Sequence, residues 1–285
     1  MANVTVVTDS TAYIPSALLA QYQIQVIPLN VIFGEVTLLD GVDISPDEFY
    51  EKLKTSKVIP TTSQPSPAAF RDVYEKILDE GRDIISIHIS EKLSGTIDSA
   101  TQAKQMLAVE NIEVVDSKLT SMAMGFPVLA TAKAAKEGAT LQECKALAER
   151  SLANSGAIFT VSTLEYLHRG GRIGGAAAFL GTALDLKPIL ELREGKIEPI
   201  ERVRTLNKAV DRLLEHFQNR INGRTPVQIA ILNAKVPEEA NRLLEKARNL
   251  FSVSDIDFAL ISDLSPTIGT HTGPGTLGIA YMAGH

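Results

Sequence analysis

The feature that most constrains the fold is the alternation of short apolar runs with helical patterns along the first 150 residues. Apolar runs of strand length occur at 4–7, 84–89 and 112–115. Between them apolar residues recur at helical spacing, as they do over 66–81 and 96–107. Because strands that alternate with helices pack as a parallel sheet with crossover helices, this half of the chain predicts an α/β domain.

The pattern changes after about residue 155, where a tract rich in glycine and several strands follow. We predict a second α/β domain with a mixed or antiparallel sheet, so that the domains span residues 1–154 and 155–285. No low-complexity linker separates them, which favours close packing of the two domains. The predicted elements of the second domain are a strand at 157–161, paired strands at 187–193 and 196–204, alternating helices and strands over 206–261, and a last strand near 277–281.

Three local patterns in the first half carry sharper predictions. The segment 24–33 reads as one strand that bends at Pro28, followed by a hairpin. Ser45-Pro46 and Ser66-Pro67 each combine an N-cap residue with proline at the first helical position, which predicts two helix starts.

Composition and charge exclude several classes of protein. With 285 residues the chain allows one large domain or two. Its 28 Lys and Arg against 34 Asp and Glu give a net charge of −6, which argues against a nucleic-acid partner, because phosphate binding needs basic surface. The single cysteine, Cys144, cannot form an internal disulfide or a zinc site of several cysteines, and we read it as a packed thiol. The histidines have no HExxH spacing, so no metal site is expected.

The chain shows no signal for export or membrane insertion. No basic segment followed by an apolar one opens the sequence, and no run approaches the ~18 apolar residues of a spanning helix. We therefore expect a cytoplasmic protein.

Three loops rich in hydroxyl groups follow predicted strands, at 8–11, 61–66 and 90–96. In an open α/β sheet, ligands bind at the carboxyl ends of the strands. Hydroxyl groups and the free N–H groups of a helix start bind anions there. The alternative is that these Ser and Thr residues only cap helices and form turns. Three such loops after successive strands favour a shared site for an anion or a carboxylate.

Individual residues near these loops leave several roles open. Asp9, directly after a strand, could bind a metal, act as a base or orient neighbouring hydroxyl groups. His271, between two threonines in a glycine-rich loop, is a better site candidate than a histidine on a predicted helix. Arg202 and Arg204 share one face of their strand, where a binding role and a solvated edge are both open.

Seven motifs in order resemble the DegV family of bacterial fatty-acid-binding proteins, and they span nearly the whole chain. They are VTDST at 7–11, TTSQPSP at 61–67, SEKLSGT at 90–96, LHRGGRI at 167–173, KPIL at 187–190, GKIEPIERVRT at 195–205 and IGTHTGPGTLG at 268–278.

The resemblance implies a two-domain DegV-like fold with one long-chain fatty acid buried between the domains. It implies a carrier rather than an enzyme, namely the binding subunit of a bacterial fatty-acid kinase. The carrier presents the acyl carboxylate to a separate ATP-dependent kinase protein, and the acyl-phosphate feeds phospholipid synthesis. No cofactor or metal is implied, and a transient membrane contact is compatible with this role.

The resemblance also implies roles for individual residues. Thr62 and Ser94 would hydrogen-bond the fatty-acid carboxylate, and Arg202 would contact the kinase. The supporting polar network would consist of Thr61, Arg172, His271, Asp9 and Ser10. The apolar segments 122–126 and 176–186 could line the tunnel or be ordinary core.

Two other classes of function stay open on the sequence. The first is a hydrolase or transferase that acts on a small carboxylate or phosphate ester, with Asp9 and His271 as acid and base. The second is an interaction or regulatory module whose lipid is only structural.

Overall fold

The computed structural model describes residues 3–181 and 186–284. The first half contains seven strands and six helices within these residues. They are β1 (Val4–Asp9), α1 (Ser16–Tyr22), β2 (Gln25–Ile27), β3 (Asn30–Phe33), β4 (Val36–Leu39), α2 (Pro46–Thr55), β5 (Thr61–Ser63), α3 (Pro67–Asp79), β6 (Asp83–His88), α4 (Thr96–Leu107), β7 (Ile112–Asp116), α5 (Ser121–Lys136) and α6 (Leu141–Ala153).

Strands β1, β2, β6 and β7 form a parallel sheet in the order β2-β1-β6-β7. Helices α3 and α4 cover its outer face, where Phe70 and Ala100 join the buried cluster around Ile84. The predicted parallel sheet with crossover helices is confirmed.

The segment 24–33 forms two strands that belong to different sheets, so the prediction of one bent strand is wrong. Strand β2 pairs with β1, whereas β3 pairs antiparallel with β4 and β5 in a small separate sheet. The break falls at Pro28, which has no N–H to donate to a strand ladder. The predicted hairpin is confirmed as β3 and β4, and the small sheet places β5 beside the cavity described below.

Both predicted helix starts are confirmed. The Ser45 side chain accepts from the backbone N–H of Glu48 at the start of α2, and Ser66 caps α3 in the same way. Because Ser66 lies three residues after the end of β5, this N-cap fixes where the chain turns from β5 into α3.

The second half contains six strands and four helices within the described residues. They are β8 (Ser155–Thr160), α7 (Glu165–Arg169), β9 (Lys187–Arg193), β10 (Lys196–Val203), α8 (Leu206–Ile221), β11 (Val227–Asn233), α9 (Pro237–Arg248), β12 (Ile256–Asp263), α10 (Pro266–Thr272) and β13 (Leu277–Ala283).

The six strands form one mixed sheet in the order β10-β9-β8-β13-β11-β12, in which only β11 and β12 run parallel. The predicted mixed sheet is confirmed. Helices α8 and α9 cover its outer face, where Leu213, Phe217 and Leu243 are fully buried. The sheet begins at Ser155, the first residue of the predicted second domain, and the boundary between the domains stays a prediction.

Helix α5 lies between the two sheets and is apolar on nearly every side. It contacts β1 of the first sheet and β8, β11 and β13 of the second. A single buried cluster joins Val6 and Met122 to Ala157, Ala230 and Ala280. A helix that is hydrophobic all round must be buried, so α5 requires a cover from both halves of the chain.

The segment 122–126 is therefore core of helix α5. Of the other apolar segment, 176–186, residues 182–185 lie outside the described residues. Cys144 is a free, buried thiol, as the sequence predicts. Among the helices of the described residues, none combines the length and the apolar composition needed to cross a membrane.

Candidate functional site

A cavity lies where the first sheet meets the inner face of the second, and the space within it together with its open mouth amounts to about 820 Å³. Leu29, Ile89 and Thr120 line it from segments that follow β2, β6 and β7, so it occupies the carboxyl ends of the parallel strands. Ala157 and Phe159 line it from β8. Ligand pockets of α/β proteins lie at this edge of the sheet.

Most of the cavity wall is apolar, and its polar side chains come from both halves of the chain. The apolar residues are Leu29, Ile89, Leu93, Ala157, Phe159, Leu167, Leu192, Ile197, Leu232, Leu264 and Ile268. The cavity therefore combines a mainly hydrophobic surface with polar groups that can orient a polar end of a ligand.

Thr62 and His271 form the central polar contact of the cavity. Thr62 Oγ1 lies 2.8 Å from His271 Nε2, and the two residues are 209 positions apart in sequence. With the proton on Nε2, the ring donates to Thr62 Oγ1, and the Thr62 hydroxyl keeps its own hydrogen to donate to a ligand oxygen.

The His271 ring is held neutral. Burial, and next the charge of Arg172, lower its pKa from the ordinary 6.5 to about 4. Its Nδ1 is buried and has no hydrogen-bond partner among the described residues. A Cβ on Gly170 would collide with this atom, so glycine at position 170 is what allows the ring to lie there.

Ser94 lies in the turn that leads into helix α4. Its hydroxyl is 2.8 Å from Thr96 Oγ1, and its backbone N–H donates to Ser90 O. The N-terminus of α4 carries partial positive charge, which favours an anion near Ser94. The side chain of Gln64 also lines the cavity and packs so closely on Gly95 that a Cβ there would lie 2.6 Å from its Nε2.

Arg172 ties the two halves together beside the cavity. Its Nε donates to Leu93 O at 3.0 Å, and its Nη1 donates to Gly170 O at 2.6 Å. The guanidinium is thereby fixed next to the turn that carries Ser94. It places a positive charge at the cavity wall.

Asp9 is completely buried and does not line the cavity. Its carboxylate accepts from the backbone and hydroxyl of Thr11, from His88 Nδ1 and from the backbone N–H of Ile89. Of its three predicted roles, the contacts fit the third, the orientation of neighbouring groups. Through Ile89 it holds one wall of the cavity in place.

Ser10 has a similar position behind the wall formed by Leu29. The Leu29 N–H donates to Ser10 Oγ at 3.1 Å, and Ser10 Oγ donates to Asp40 Oδ2 at 3.0 Å. Asp40 also lies 3.4 Å from the backbone N–H of Thr267, at the start of α10. Burial raises the pKa of Asp40 from 3.8 to about 6.

The remaining two predicted residues lie outside the cavity wall. The Thr61 side chain is exposed, on the opposite face of β5 from Thr62. Arg202 is exposed on β10, where its Nη2 donates to Ala178 O at 3.2 Å and its guanidinium lies 4.5 Å from the centre of the Phe179 ring. The structure thus brings Thr62, Ser94, Arg172 and His271 together.

Gln64 and Asp40 are two of the residues of this region that sequence reasoning did not single out. Gln64 belongs to the hydroxyl-rich loop 61–66, so its position in that loop was the available signal. Asp40 sits in a turn-like stretch with no motif, and only the three-dimensional structure brings it to Ser10 and Thr267. Within the described residues, no three His, Cys, Asp or Glu side chains come together as a metal site.

Comparison with known proteins agrees with this architecture. A family model described as "uncharacterised protein, DegV family" matches residues 3–284. A DegV domain-containing protein of Streptomyces coelicolor is 41% identical over 282 residues, which cover 99% of each chain. The chain belongs to the DegV family.

Two solved structures of relatives are also similar. A DegV family protein from Thermus thermophilus, described by its fatty-acid binding, superposes with a TM-score of 0.92 at 38% identity and covers 99% of each chain. A protein from Eubacterium ventriosum described as binding stearic acid superposes with a TM-score of 0.89 at 25% identity, with 100% of this chain and 99% of that chain covered.

The raised pKa of Asp40 predicts a specific pH dependence of stability. Because the folded state binds this proton more tightly than the unfolded state, its contribution is complete below pH 3.8 and is lost as the pH rises through 6. The loss amounts to about 3 kcal/mol by pH 7. Asp40→Asn removes this titration. We therefore expect the free energy of unfolding of the variant, minus that of the natural chain, to be larger at pH 7.5 than at pH 4.5. Urea unfolding of both proteins at the two pH values measures this difference, and the same difference at both pH values would contradict the assignment.

Proposed function

We propose that this protein binds one long-chain fatty acid in the cavity, with the carboxylate held by the hydroxyl groups of Thr62 and Ser94. The observation that carries the proposal is a cavity with a largely apolar surface, whose polar side chains are mostly hydroxyl groups beside one guanidinium, one amide and one neutral histidine. A carboxylate removed from water requires charge-assisted hydrogen bonds, and these groups supply them.

The free energy of such binding comes mainly from the tail. About 15 buried methylene groups at about 0.8 kcal/mol each contribute roughly 12 kcal/mol before the costs of association. The carboxylate contacts then fix the orientation of the chain in the cavity. The fatty-acid-binding relatives from Thermus thermophilus and Eubacterium ventriosum support the same class of ligand.

We further propose that the protein is a carrier, which presents its fatty acid to a separate ATP-dependent kinase in the cytoplasm. The acyl-phosphate formed there would feed phospholipid synthesis. The support for this step is the resemblance of the sequence motifs together with the exposed position of Arg202, where a negatively charged partner surface could bind. No cofactor belongs to this proposal.

The alternative of a hydrolase or transferase has less support from the geometry. Asp9 is buried behind Ile89 and accepts hydrogen bonds from Thr11 and His88. His271 is hydrogen-bonded to Thr62. An acid and a base must both reach the reacting group, and Asp9 does not line the cavity.

Removal of the carboxylate donors is expected to weaken fatty-acid binding. Ser94→Ala and Thr62→Val each delete one hydrogen bond to a charged group, at a cost of about 1.5–3 kcal/mol, or roughly 10- to 150-fold in Kd. Titration with palmitate measures the change. Thr61→Val is the matched control, since the Thr61 side chain is exposed, and its Kd should stay within about twofold of the natural chain. Unchanged affinity in both Ser94→Ala and Thr62→Val would place the carboxylate elsewhere.

The kinase step predicts that Arg202→Ala separates binding from phosphorylation. Palmitate affinity should remain unchanged, while the rate of acyl-phosphate formation with the kinase and ATP should fall at least about tenfold, as for loss of a charged contact at an interface. Arg204→Ala is the control, because Arg204 is also exposed next to the same strand. A fall in palmitate affinity would assign Arg202 to the cavity, and an undiminished rate would remove it from the kinase contact.

A further inference from the structure

A second large depression lies directly behind part of the wall of the cavity. This depression, here called the outer cleft, opens between the end of the first sheet and the β9 side of the second. Its lining includes Asp116, Leu119, Gly156, Glu191 and Tyr281. None of the carboxylate-binding candidates lines it.

At three places the cavity and the outer cleft are lined by the same residue or by consecutive residues, which together form the partition between them. Leu119 lines the cleft, while the next residue, Thr120, lines the cavity. Gly156 lines the cleft, while Ala157 lines the cavity. Leu192 lines both spaces at once.

Leu192 also differs from its neighbours in what it packs against. It is partly buried and contacts both the cluster around α5 and the smaller cluster formed by Phe159, Leu190 and Ile197. Leu192 therefore lies between the cavity and the outer cleft and separates them. Its contacts in both clusters are hydrophobic, so the size of its side chain decides how far the cavity extends.

Charged groups line the far side of the partition, together with apolar residues such as Val115 and Leu152. Glu191 accepts from Arg220 at 2.5 Å, and Lys118 pairs with Glu194 at 3.2 Å across the two halves of the chain. Arg193 also lines the outer cleft. An acyl chain that passed Leu192 would leave an apolar wall and meet ionic groups and water, so further methylene groups would gain little there.

We propose that Leu192 sets the upper limit on the length of the acyl chain, with the methyl end of the chain packed against its side chain. This inference rests on the proposed fatty-acid binding. Within the cavity each added methylene strengthens binding by up to about fourfold. Affinity therefore rises with chain length until the chain reaches Leu192, and then it falls.

Two variants shift this limit in opposite directions. Leu192→Ala removes three carbon atoms from the partition and opens the cavity toward the outer cleft, so the preferred chain becomes longer by about two carbons. Leu192→Phe extends the partition into the cavity, so the preferred chain becomes shorter. Leu190→Ala is the matched control, because Leu190 is a buried leucine of the same strand that lines neither the cavity nor the outer cleft.

The experiment is a titration of the natural chain and the three variants with saturated acids from lauric to behenic acid, after thermal unfolding has confirmed that each variant folds. We expect the optimum to move up in Leu192→Ala, down in Leu192→Phe, and to stay in place in Leu190→Ala. The same optimum in the natural chain and both Leu192 variants, or an equal shift in Leu190→Ala, would overturn the inference.

A failure of the proposed function itself gives a different result. In that case the natural chain binds none of the acids. If the natural chain binds them with a clear optimum and the Leu192 variants keep that optimum, only the assignment of Leu192 fails. Should one Leu192 variant not fold, the other still decides the direction of the shift.

Discussion

Residues 121–128 of helix α5 are buried on every side, and the architecture depends on covering them. Apolar surface on every side of a helix is stable only inside the protein, and neither sheet can cover it alone. The two sheets therefore close on α5 from opposite directions and share one buried cluster. The start of the helix, at Thr120 and Ser121, reaches the cavity, so the burial of α5 fixes where that cavity lies.

The candidate site depends on this closure because its polar groups come from both halves of the chain. Thr62 and Ser94 belong to the first half, whereas Arg172 and His271 belong to the second. Asp9 and Ser10 act one layer further back, where they hold the backbone of Ile89 and Leu29 in the cavity wall. A carboxylate in the cavity would meet donors that are already positioned, which lowers the cost of ordering them on binding.

Much of the fold could be predicted from local signals in the sequence. The spacing of apolar residues predicted the parallel sheet and the mixed sheet, and the capping residues predicted the starts of α2 and α3. These signals depend only on residues that are close in sequence. The break at Pro28 was missed because an apolar run on both sides of a proline looks continuous until strand partners are known.

The site was less predictable for the same reason. The hydroxyl-rich loops predicted a shared site, and the resemblance to the DegV family pointed to Thr62 and Ser94 within them. The contact of Thr62 with His271, however, spans 209 residues. The burial that raises the pKa of Asp40, and the position of Leu192 between two spaces, arise only when distant segments pack together. No local pattern marks either residue.

The most direct test of the central claim is a crystal structure of the protein with palmitate bound. The account predicts one acyl chain between the two sheets, with its carboxylate oxygens within hydrogen-bond distance of Thr62 Oγ1 and Ser94 Oγ and its tail along the apolar wall. A palmitate bound outside this cavity, or one whose carboxylate contacts neither hydroxyl, would contradict the account.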